Sequence, residues 1–138
     1  MLASIIPTRV HGMIDYIVGV LLIAAPWLFG FADNRPAMMV PVVLGAGTIV
    51  YSLITAYELG AVRILPMSAH LVIDLLAGVL LLASPWMFNF ADRIRWPHVT
   101  VGIMEIVVVL ISSRVPSLTS RGDRDTTTGN VSGRPGMV

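Results

Sequence analysis

The sequence predicts an all-α membrane protein whose four transmembrane helices form two tandem, parallel helix-hairpin repeats. Three observations lead there. Hydrophobic residues make up 56% of the 138 residues and mean hydropathy is +0.84, above what a water-soluble domain carries. Four apolar stretches follow one another, separated by short polar connections. One segment also occurs twice, His11 to Asp33 and His70 to Asp92, and the copies agree at fourteen aligned positions. The agreement includes His11/His70, Asp15/Asp74, Gly19/Gly78, Pro26/Pro85, Trp27/Trp86, Phe31/Phe90 and Asp33/Asp92.

Composition excludes several function classes. Charged residues are 12% and the net charge is +1, so the chain has no basic surface able to neutralise a run of phosphates, and nucleic acid is not an expected partner. There is no cysteine, which removes disulfides, thiolate metal sites and thiol nucleophiles. The first thirty residues resemble a secretory signal, with Arg9 ahead of an apolar run, but the second copy argues that the segment is a permanent part of the fold.

Residues 1–10 form a short entry in which Pro7 prevents helix upstream. The first helix runs from His11 to about Gly30, roughly 20 largely apolar residues, enough to cross about 30 Å of hydrocarbon. Pro26 bends or terminates it, and Trp27, Phe29 and Phe31 suit an interfacial belt. After a turn at Asp33 to Pro36, the second helix is expected over Ala37 to Tyr57. Gly45, Thr48, Ser52 and Thr55 recur there every three or four residues, a stripe that lets a neighbouring helix approach. Glu58 to Met67 is the connection between repeats. The third helix spans His70 to Asn89, and the fourth Pro97 to Ser113, with Pro97 placed where a first helical residue can lack its N–H. The second helices align more loosely, through Gly45/Gly102, Ile49/Ile106, Leu53/Leu110 and Ile54/Ile111.

The expected organisation is therefore a transmembrane domain over 1–115, with repeat one at 9–59 and repeat two at 68–115. A polar tail over 116–138 is too poor in apolar residues to order itself. Two spans per repeat give both copies the same orientation, related by a pseudo-twofold axis along the membrane normal. Arg9, Arg63 and Arg114 outweigh Arg35, Arg93 and Arg95 once Arg121 and Arg124 are counted, which points to cytoplasmic termini in a cell (inner or plasma) membrane.

Ser84, Pro85 and Trp86, with Ala25, Pro26 and Trp27 in the first copy, resemble the SPW repeat of small integral membrane proteins. The upstream His and Asp and the downstream Phe, Ala and Asp accompany the tripeptide in both copies. The resemblance implies a four-helix membrane protein with the tripeptide in the first helix of each repeat, and carries over no catalytic residue. Ala25 in place of serine shows that the hydroxyl is not required twice.

His11, Asp15 and Gly19 fall at i, i+4 and i+8 on one helix face, as do His70, Asp74 and Gly78. One reading makes each His/Asp couple a titratable site that relays protons or holds a cation. The other makes each Asp a structural anchor tied to its own histidine, to Arg9 or to a neighbouring helix end. Glu105, midway along the fourth helix and aligned with Thr48, is the single-copy candidate; its plain alternative is a neutral acid bonding Thr48, Ser52 or Tyr51. Paired ligation of a haem or metal by His11 and His70 is a lesser reading, because each imidazole would have to turn from its own aspartate or be oriented by it. No catalytic residue, cofactor or metal is assigned, and no active-site motif of an enzyme is present. The expected function is a non-enzymatic membrane component acting by helix packing, as a homo-oligomer or with another membrane protein. The alternative is a small proton-linked or solute transporter or channel using the His/Asp couples and Glu105.

Overall fold

The structure, a computed structural model, describes residues 4–116 and is all-α: α1 Thr8–Leu28, α2 Arg35–Leu53, α3 Met67–Met87 and α4 Trp96–Ile111. Most of the tail expected over 116–138, beyond Pro116, lies outside the described residues. α1, α2 and α3 are long and apolar enough to cross a membrane; α4, at 16 residues, is apolar but shorter. α1 packs on α2 and α3 on α4, and the two hairpins also meet through α2 and α3.

The odd helices start three residues earlier than the repeated segment. Pro7 and Pro66 hold extended backbone (φ −62° and −63°) immediately before the first helical residue, and the carbonyls of both accept the first helical N–H bonds, from His11 and His70. The far ends explain the tripeptide. The Phe31 N–H donates to the Pro26 carbonyl and the Phe90 N–H to the Pro85 carbonyl, both at 2.8 Å. Gly30 and Asn89, between them, take the left-handed conformation at φ 71° and 56°. This is the six-to-one bond of a Schellman stop, with proline three residues before the cap. The motif is a helix terminator.

That stop corrects the reading of Phe31 as an interfacial ring. Trp27 and Phe29 are exposed, but Phe31 and its partner Phe90 are each only 2% exposed, because the left-handed residue turns the chain back and folds these rings into the bundle. They cluster with Ala25 and Ala37. A middle layer of Val18, Leu22 and Leu81 and a third of Tyr57, Met67 and Leu71 complete the apolar core.

Glycine pairs bring the helices of each hairpin together. A Cβ on Gly45 would lie 2.6 Å from the Gly19 carbonyl oxygen, and one on Gly102 would lie 2.8 Å from that of Gly78. Only hydrogen fits at these crossings. At the opposite end from the Pro/Trp motif, two parallel bridges tie each helix entry to a helix exit: Ile6 with Ser112, and Thr55 with Leu65. They bring the end of α4 beside the start of α1 and the end of α2 beside the start of α3.

Candidate functional site

The glycine crossings and the bridges together place His11, Asp15, His70 and Asp74 in one cluster, each 0–1% exposed. The couples do not stay within their own helices. His11 Nε2 lies 3.3 Å from Asp15 Oδ1 and 3.0 Å from Asp74 Oδ2. His70 Nε2 lies 3.0 Å from both Asp74 Oδ2 and Asp15 Oδ2. Each imidazole thus faces both carboxylates, one from each repeat. Arg9 is exposed and takes no part in these pairs.

Hydroxyls behind the rings fix which nitrogen carries a proton. Ser112 Oγ donates to the Val108 carbonyl at 2.6 Å, so its lone pair faces His11 Nδ1 at 2.8 Å. Thr55 Oγ1 donates to the Tyr51 carbonyl at 2.6 Å and likewise presents a lone pair to His70 Nδ1 at 2.7 Å. Nδ1–H is therefore the donor to the hydroxyl in both rings, and both Nε2 atoms point at the carboxylates, which they meet as N–H donors when protonated and with a lone pair when not. A buried polar group without such partners would be strongly destabilising.

A second ring of contacts is one-sided. The Tyr51 hydroxyl donates to Asp74 Oδ1, and Ser52 Oγ reaches Asp15 Oδ2 at 3.4 Å. Thr48, expected as a partner of Glu105, donates instead to the Leu44 carbonyl and sits 3.2 Å from the Tyr51 hydroxyl. Glu105 is 8% exposed, makes no hydrogen bond to another described residue, and lies within Coulombic reach of all four members of the cluster.

Reading the sequence alone misses Thr55 and Ser112 as the partners of the histidines, although the Gly45/Gly102 register, continued along α2 and α4, pairs them. It also misses His98. This residue is 1% exposed at the Pro/Trp end, its Nε2–H donates to the Ala37 carbonyl at 2.9 Å, and its ring lies 5.2 Å from that of Phe31 and 4.8 Å from that of Phe90. Only its place beneath two buried phenylalanines gives it meaning, and a lone histidine after Pro97 offers no such signal. Ser84, the full tripeptide's serine, is fully buried and donates to the Leu81 carbonyl of its own helix at 2.7 Å, which explains why Ala25 can replace it.

With the duplicated terminator and the duplicated couple in place, comparison with known families is decisive: residues 9–112 match the SPW repeat domain. The chain belongs to the SPW repeat family. It matches no curated protein and no solved structure at a significant level. In this SPW repeat protein the helix stops, closed on the Pro26 and Pro85 carbonyls beside the exposed Trp27 and Trp86, lie at one end, and the His/Asp cluster lies at the other. The family and the apolar helices make it a small membrane protein.

Proposed function

We propose that the chain is a non-enzymatic component of the cell (inner or plasma) membrane, with cytoplasmic termini, that acts as a rigid four-helix packing unit. Its partners are the lipid bilayer and copies of itself or another membrane protein. One observation carries the reading: all four imidazole and carboxylate groups are spent on one another across the repeat boundary, as a joint between hairpins. Buried polar groups satisfied in this way specify register and rigidity. The exposed side chains of the helices are mostly aliphatic and aromatic, suited to lipid or to a second membrane helix.

The second reading, a proton-linked or solute carrier, draws on Glu105, a carboxyl beside the joint that no hydroxyl among the described residues holds. Reconstitution into vesicles separates the two. The packing reading expects a stable oligomer in mild detergent and no flux under a proton or solute gradient, with Glu105→Gln leaving assembly unchanged. Flux that Glu105→Gln abolishes would replace it with the carrier.

A further inference from the structure

We propose that His11, Asp15, His70 and Asp74 form a closed tetrahedral site for a divalent transition-metal ion of the zinc class. The inference concerns what fills the joint and holds whether the bundle serves packing or transport.

Geometry is the first support. A tetrahedral ion with bonds of about 2.0–2.1 Å sets its ligand atoms about 3.3–3.4 Å apart. Asp74 Oδ2 lies 3.0 Å from both Nε2 atoms, Asp15 Oδ2 lies 3.0 Å from His70 Nε2 with its Oδ1 3.3 Å from His11 Nε2, and one donor atom from each residue falls within 4.8 Å of the other three.

The surroundings are the second support. Metal-bound histidines donate their other ring N–H to an oriented acceptor, and bound carboxylates are themselves hydrogen-bonded. Ser112 and Thr55 hold the two Nδ1–H groups, which leaves both Nε2 lone pairs to converge; Tyr51 holds the far oxygen of Asp74. The sequence objection to ligation by His11 and His70, that each ring must be turned or oriented by its aspartate, is answered by these hydroxyls. Two carboxylates with two neutral imidazoles carry a charge of −2, which a divalent cation cancels in a site closed to water. Two nitrogen and two oxygen donors suit zinc better than magnesium or calcium, which take oxygen ligands and higher coordination numbers.

A cavity of about 650 Å³, lined in part by Ser68, Ser112, Ser113 and Arg114, opens beside Ser112, the residue that orients His11. With four protein ligands the site has no open position, so the ion would staple repeat one to repeat two.

The test uses the full chain in detergent micelles, carrying a histidine-free affinity tag, stripped with chelator and titrated with Co²⁺. The expected result is one Co²⁺ per chain with the intense visible bands of tetrahedral coordination, displaced by one equivalent of Zn²⁺. His70→Ala and Asp15→Asn should abolish the bands. Because either variant can fail to fold, Thr55→Val and Ser112→Ala supply the independent arm: they retain all four ligands, and each should weaken Co²⁺ binding 10- to 100-fold at unchanged helix content. Wild-type protein that takes up no Co²⁺, or that shows only the weak bands of octahedral coordination, overturns the proposal, as do variants that all bind Co²⁺ like wild type.

Discussion

The two hairpins share a frame and differ in what they hang on it. Both have the proline entry, the His/Asp couple, the glycine crossing, the Schellman stop and a hydroxyl at the end of the even helix, Thr55 in one and Ser112 in the other. Inside the frame they diverge. At the positions of Tyr51 and Ser52 in α2, the Gly45/Gly102 register places Val108 and Val109 in α4, and Thr48 gives way to Glu105. The symmetric residues build the joint; the asymmetric ones surround it with hydroxyls on one side and a single carboxyl on the other. A joint needed by both halves is duplicated, whereas anything peculiar to this chain has to reside in the part that is not.

The largest effect should come from the joint. Asp74→Asn and Asp15→Asn each break a buried carboxylate–imidazole network by removing one carboxylate that faces both rings, at a cost of about 3–5 kcal/mol in reversible unfolding in mixed micelles. Equal losses would show that only the symmetric contacts matter. Asp74 should lose more, because its Oδ2 meets both rings and its Oδ1 accepts from Tyr51.

Next come the crossings. Gly45→Ala and Gly102→Ala each place a methyl against an opposing backbone carbonyl, within 2.6 and 2.8 Å respectively, and should cost about 1–3 kcal/mol. The same unfolding measurement checks them. If one hairpin absorbs the methyl freely while the other does not, the frames are less alike than their glycines imply.

The smallest effect should come from the asymmetric shell. Tyr51→Phe removes one hydrogen bond to Asp74 and should cost about 1 kcal/mol, in line with other hydrogen bonds inside membranes. Its loss should be fully coupled to Asp74→Asn in a double-mutant cycle and additive with Gly102→Ala. Coupling to Gly102→Ala instead would place Tyr51 in helix packing.

Much of the fold was legible in the residue pattern. Apolar length marked the four helices, though α1 and α3 begin at Thr8 and Met67, three residues before the duplicated histidines, since a proline cap and not the start of the repeat sets the first turn. The polar residues of the site were also legible, because His and Asp four apart inside an apolar run stand out. Their partners were not. Ser52 and Thr55 read as part of a packing stripe, Tyr51 as a partner for Glu105, and Phe31 as an interfacial ring, because local spacing says which face a side chain occupies but not what stands opposite it.

The sequence by itself determined the membrane as solvent, the duplication, the helix stops and the pairing of each histidine with the aspartate one turn away, all of which depend on composition or on residues within a few positions. Tertiary structure alone decided that His11 meets Asp74, 63 residues on, and Ser112, 101 residues on, and that both carboxylates converge on both rings. Those contacts follow from the closeness of two glycine crossings and from two bridges that join helix entries to exits. Crossing distance and register between helices are properties of packed surfaces, and no local period in the chain encodes them.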